Sequence, residues 1–115
     1  MVESQNTTAF LEAYQQGQRD FPNTDLSESN LAGQNIKGVN LSYADLSGCD
    51  LSEANLRGAD LSFAILREAN LSNTCLKGAI LIGTNFTNAK LDGVDIENAD
   101  YDLKQTVFPT GFVLP

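Results

Sequence analysis

Stepping along the chain by five from Phe21 meets a large apolar residue every time: Phe21, Leu26, Leu31, Ile36, Leu41, Leu46, Leu51, Leu56, Leu61, Leu66, Leu71, Leu76, Leu81, Phe86, Leu91, Ile96 and Tyr101. Two residues before each centre from Leu26 onward stands a small residue such as Ala44, Cys49, Ala54 or Thr74, with Gln34 the single larger one. Two columns held in register over most of the chain are an internal repeat, which sets the organisation before any secondary structure is assigned.

Neither regular element can use this period unbroken. On a helix at ~100° per residue, successive centres would sit ~140° apart and form no stripe. On a straight strand an odd step sends alternate centres to opposite faces. The chain must therefore turn once per repeat, so that each repeat points one large and one small side chain inward. The second residue after each centre carries the matching chemistry: Gly33, Gly38, Gly48, Gly58, Gly78, Gly83 and Gly93, and Asn23, Asn73, Asn88 and Asn98. Gly and Asn tolerate the positive φ of the third position of a type II turn, and Pro22 suits the position before Asn23. The remaining corners, Glu28, Tyr43, Glu53, Phe63, Glu68 and Leu103, would be strained there, which predicts type I-like turns at those places.

The stretch "ADLSGCDLSEANLRGADLS" resembles the A-(D/N)-L-x-x signature of pentapeptide-repeat proteins, and the match runs over residues 21–103. The flanks "YQQGQRDF" and "YDLKQTVFPTGF" resemble the ends of cyanobacterial members. The resemblance implies an all-β fold, a right-handed quadrilateral β-helix of about four coils; at ~4.8 Å per coil that is a rod ~20 Å long. Stacked coils bury a ladder that no single repeat could bury, and leave an open β-edge at each end that needs covering. Residues 1–20 are expected to give a disordered start and a short capping helix. Thr8 is its N-cap, the helix runs through Gln16, Gly17 stops it, and Phe10, Leu11 and Tyr14 form its apolar side. Residues 104–115 are expected to form an irregular cap that lays Val107, Phe108, Phe112 and Leu114 on the last coil.

Composition narrows the function. The 115 residues fit one small domain, no apolar run nears the ~18 residues of a membrane span, and the first twenty residues do not read as a secretory signal. The expected setting is the cytoplasm, with no membrane partner. Fifteen acidic against seven basic residues give a net charge of −8, which speaks against nucleic acid as a partner. The chain has no histidine and two cysteines without metal-ligand spacing, so neither a metal, a cofactor nor an enzymatic role is expected. Cys49 falls in an inner slot and Cys75 in an outer one, too far apart in register to bridge. The recurring Asp/Asn before each centre reads as bonding its own backbone beside the turn rather than as a catalytic carboxylate.

A map with four repeats per coil sorts the outward residues onto faces. Three faces are acidic; the fourth stacks Lys37, Arg57 and Lys77 in a column, either a solvated ladder with Lys77 paired to Glu97 or a site for an anion or partner. Apolar residues in outward slots gather elsewhere: Tyr43 and Phe63 in one corner column above Gly83, with Ile65, Ile80 and Ile82 nearby. A contiguous group of that kind resembles the core of a protein-protein contact, with another protein or a second copy. The function expected is a non-catalytic scaffold that shows side chains to a protein partner. The alternative is an acidic mimic of DNA acting on a topoisomerase such as gyrase, which acidic members of the family suggest.

Overall fold

A closed coil imposes one geometry on every corner, whatever the residue. In the computed structural model, which describes residues 5–115, each corner from Asn23 to Asn98 has φ between 58° and 72°. The type I-like turns expected at Glu28, Tyr43, Glu53, Phe63 and Glu68 are therefore not formed, since these five share the left-handed region with the glycines and asparagines. Only Leu103, beyond the last regular repeat, is outside that set. The reason is the ladder: a corner N–H must reach the coil beside it, as Tyr43 N donates to Ser62 O at 2.9 Å and Phe63 N to Ile82 O at 2.9 Å. Local steric preference, worth about 1–2 kcal/mol per residue, gives way to that bond and to the burial of the flanking centres.

Single-residue parallel bridges join positions twenty apart, from Asp20 with Asn40 through Ile80 with Asp100. Each repeat is held three ways. Around Leu61, the centre N–H donates to Ile80 O, Ile80 N returns a bond to Ala59 O, and Ala64 N closes the turn on Leu61 O, all at 2.9 Å. Leu31 to Leu81 are buried at every step, while Phe21, Leu91 and Ile96 at the two ends keep 7–9% of their surface.

The small inner slots contain polar atoms where the sequence has Thr or Cys, and each finds a partner. Thr74 Oγ1 donates to Leu51 O at 2.7 Å, Thr84 Oγ1 to Leu61 O at 2.8 Å and Cys49 Sγ to Leu26 O at 2.8 Å. Burial pushes the Cys49 thiol up to about 12, so almost none is thiolate near neutrality. Both cysteines are free, and Cys75 is half-exposed. A thiol-alkylating reagent at neutral pH is expected to label Cys75 quickly and Cys49 only after denaturant is added; mass spectrometry of the peptides reads the two rates.

The helix α1 spans Gln5–Gln15 and so begins earlier than expected: Thr8 lies inside it rather than capping it. Thr7, not Thr8, is buried, where it shares a hydrogen bond with Ser29 in an inner slot of the first coil. Gly17 ends the helix at φ 102°, with Gln18 N donating back to Ala13 O and Gly17 N to Tyr14 O, the paired bonds of a Schellman stop. The start expected to be disordered lies largely outside the described residues. Phe10 packs edge-on against Phe21 at 4.7 Å. Two carbonyls on the first coil's open edge gain donors from α1: Asn6 Nδ2 bonds Asp25 O at 3.1 Å and Tyr14 Oη bonds Lys37 O at 2.6 Å.

At the other end Val107 enters the ladder by a bridge to Asn85, and Phe86 N donates to its carbonyl at 2.7 Å. The Val107 side chain is exposed, whereas Phe108, Phe112 and Leu114 lie against the core. Phe108 stacks on Phe86 at 5.6 Å.

Candidate functional site

The Asp/Asn column turns inward on its own backbone. Asp45 Oδ1 accepts from Ser47 N at 3.0 Å, Asp60 Oδ1 from Ser62 N at 2.9 Å and Asn70 Oδ1 from Ser72 N at 3.0 Å. These bonds hold the second position of each turn and satisfy one side-chain oxygen of each residue. At Asp25 the Ser27 hydroxyl, and after it the Ser27 backbone N–H, hold the carboxyl below the ordinary value. A depressed carboxyl contributes stability above its unfolded pKa and loses it as pH falls through the folded one. Ser27→Ala is expected to raise the Asp25 pKa toward the ordinary carboxylate range in an NMR titration. Among the described residues no group of three or more Cys, Asp or Glu is placed to hold a metal ion.

In the basic column Lys37 and Arg57 are exposed, and Lys77 pairs with Asp95 at 3.6 Å rather than with Glu97. Asp95 is the bridge partner of Cys75 on the neighbouring coil, so its carboxylate lies closer to the Lys77 turn. Both side chains are about four-tenths exposed, and an ion pair that wet contributes ~0–1 kcal/mol.

The apolar residues behave differently. Tyr43 and Phe63 are stacked at 5.2 Å with 14° between their planes, yet 59% and 41% exposed. The Phe63 ring continues the column onto Gly83, where an added Cβ would come within 2.4 Å of it. Ile65 is 38% exposed beside the same corner, and Ile80 and Ile82 are half-buried on the adjoining face. Tyr43 and Phe63 thus lie in contact, Ile65 follows their corner and the Ile82 carbonyl accepts from Phe63 N, while Ile80 sits at the far side of its face. Exposed carboxylates at Glu28 and Glu68 stand at the next corner round the coil.

Both aromatics sit at φ near 60°, where a side chain bearing Cβ costs about 1–2 kcal/mol. An aromatic pair returns only about 0.5–1.5 kcal/mol beyond its burial. The stack together with the partial burial of the two rings roughly balances the strain of both corners, so Asn or Gly, as at most other corners, would serve the fold about as well. The sequence located these residues but missed the strain, because a type I-like turn was expected there.

Glu53 isolates the cost of such a corner. It is exposed at φ 58° and makes no side-chain bond among the described residues. Glu53→Gly is expected to stabilise the fold by about 1 kcal/mol, raising the melting temperature by a few degrees in a thermal scan.

The pentapeptide-repeat family model matches the chain in eight copies, over residues 20–52, 35–73, 44–81 and 76–100. The chain belongs to the pentapeptide-repeat family. This pentapeptide-repeat chain is 47% identical to the Nostoc PCC 7120 pentapeptide repeat protein alr5209, with a TM-score of 0.90 over 93% of this chain and 88% of that one. It is 37% identical to a pentapeptide repeat protein of the Arabidopsis thaliana thylakoid lumen, with a TM-score of 0.51 over 71% of this chain and 61% of that one. No curated protein matches it. Among the described residues no helix is long and apolar enough to cross a membrane.

Proposed function

We propose that this chain is a non-catalytic, cytoplasmic interaction module. It offers the corner column Tyr43–Phe63, flanked by Ile65 and Ile82 with Ile80 at the margin, to a protein partner. One observation carries the reading: two large aromatics stand strained and exposed at corners that need neither. Strain that the fold does not use is a pointer to function. Aromatics stacked on a rigid ladder lose little side-chain freedom on binding, which is what a contact core requires. The finer architecture proposed with it is four right-handed coils over 21–103, with the segments 1–20 and 104–115 as caps; bridges at twenty-residue steps from Asp20 to Asp100 support that count.

Affinity capture from the native cell with wild type and with a Phe63→Glu/Ile82→Glu double variant tests the site. Loss of the partner in the variant is expected; a partner retained unchanged rejects it. The DNA-mimic reading draws on the net charge of −8, but the carboxylates of Asp45, Asp50 and Asp60 are half-buried, each with one oxygen tied to its own turn. A gyrase supercoiling assay with added protein separates the two readings: no inhibition is expected.

A further inference from the structure

Inside the ladder a corner N–H donates to the coil that follows, as Gly33 N does to Ser52 O and Asn73 N to Asp92 O, at 2.8–2.9 Å. Gly93 stands in the same corner column one coil further on. Its N–H, like those of Leu91 and Ile96, makes no backbone hydrogen bond among the described residues. The residue before it is Asp92, and this is the chain's one Asp-Gly pair.

An aspartate followed by an amide that nothing holds can react with its own backbone. The Gly93 nitrogen attacks Cγ of the protonated Asp92 carboxyl, the amide hydrogen and the carboxyl hydroxyl leave together as water, and a succinimide ring closes. Water then adds back at either ring carbonyl. Breaking the Cγ–N bond restores aspartate; breaking the bond between the main-chain carbonyl carbon and N leaves isoaspartate, with the main chain running through Cβ and Cγ. Water is the only co-reactant, released in the first step and consumed in the second.

The conditions for this step meet at Asp92 and at no other aspartate. Asp92 and Gly93 are exposed, and the Asp92 carboxylate makes no hydrogen bond or ion pair among the described residues. Gly93 has no side chain to hinder ring closure. Asp20, Asp25, Asp45, Asp50 and Asp60 each precede a centre whose N–H is tied to the next coil at 2.7–2.9 Å. Asp95 and Asp102 each have an oxygen held by a backbone N–H, of Glu97 and Lys104 respectively. Asp100 precedes Tyr101, whose ring packs edge-on against Phe108 at 5.5 Å. Grooves of ≈ 500 and ≈ 430 Å³ flank the corner, one lined by Gly93 and the other by Asp92, and leave room for the ring and for the water that opens it.

We propose that Asp92–Gly93 is a site of spontaneous backbone modification, at which isoaspartate forms in the folded protein. The product carries a free carboxylate on a main chain lengthened by one atom, the chemical class that S-adenosylmethionine-dependent isoaspartyl methyltransferases take as substrate.

The test is warm incubation of the full chain at neutral pH, below its melting temperature, followed by peptide mapping with electron-transfer fragmentation, which tells isoaspartate from aspartate. Isoaspartate is expected at Asp92 before any other aspartate, and its loss is expected in Asp92→Glu, whose longer side chain cannot close the same ring. Ala32→Asp puts the same dipeptide in the same corner column, exposed, but before the Gly33 amide that is tied to Ser52 O. Position 32 is expected to react more slowly than Asp92 in the same molecule by about tenfold, the rate equivalent of one ladder bond. Equal rates at the two positions, earlier isoaspartate at another of the chain's own aspartates, or an Asp92 that stays intact in the folded chain while the free peptide Lys-Leu-Asp-Gly-Val-Asp reacts, each overturns the proposal.

Discussion

Leu61→Ala is expected to cost about 3 kcal/mol and to lower the melting temperature by roughly 12 °C. Leu61 is fully buried; its N–H donates to Ile80 O, and its carbonyl accepts from Ala64 N and Thr84 Oγ1. The square coil cannot contract around a missing side chain, because each repeat is bonded to both neighbouring coils, here through Leu61 N to Ile80 O and Asp60 O from Leu41 N; the cavity therefore stays open and its full cost is felt. Leu91→Ala removes the same atoms from an end position already 8% exposed, where the tail can settle inward, and about half the loss is expected. Two thermal scans check the pair. Equal losses would mean that the end is as tightly closed as the middle, contrary to the unpaired donors of its last coil.

The second large effect concerns binding rather than folding. Tyr43→Asn/Phe63→Asn exchanges two strained aromatics for a residue that accepts positive φ. The relief at two corners, about 1–2 kcal/mol each, roughly matches the lost stack and the partial burial of the two rings. Melting temperature is therefore expected to hold or rise. Loss of a central aromatic pair from an interface commonly costs at least about 2 kcal/mol, or roughly thirtyfold in affinity. A variant that is no less stable yet loses its partner is hard to produce unless the side chains serve recognition.

The centres and inner slots were legible because a period of five excludes helix and strand alike, leaving a chain that turns at every repeat. Inward placement of the centres from Leu26 to Ile96 follows from that alone. The Asp/Asn column was legible for a local reason: a short side chain two residues before a turn N–H has one convenient donor. The corners at Glu28, Tyr43, Glu53, Phe63 and Glu68 were not, because local sterics favour negative φ while the closed coil demands the same turn everywhere. That demand comes from residues twenty positions away, outside any local window. Thr8 looked like a helix cap for a related reason. Its sequence neighbours fit, but Thr7 is drawn under the helix by Ser29 on the first coil, a contact with no local signature. Lys77 had two acids within reach, and only the bridge between Cys75 and Asp95 decides which is nearer.

The closing of the last coil was the least visible feature. The sequence shows that the repeat stops near Leu103 and that apolar residues follow, which reads as a cap. What it does not show is that the tail joins the ladder only at Thr84 and Phe86 through Val107, and that the N–H groups of Leu91 and Ile96 make no backbone hydrogen bond among the described residues.

The most direct test of the aromatic corner as a docking site combines two readings on one protein: the melting temperature and the partner capture of Tyr43→Asn/Phe63→Asn beside wild type. The expected result is a melting temperature equal to or above wild type together with loss of the captured partner. Capture undiminished, or a melting temperature that falls by many degrees because the stack was holding the coil together, would contradict it.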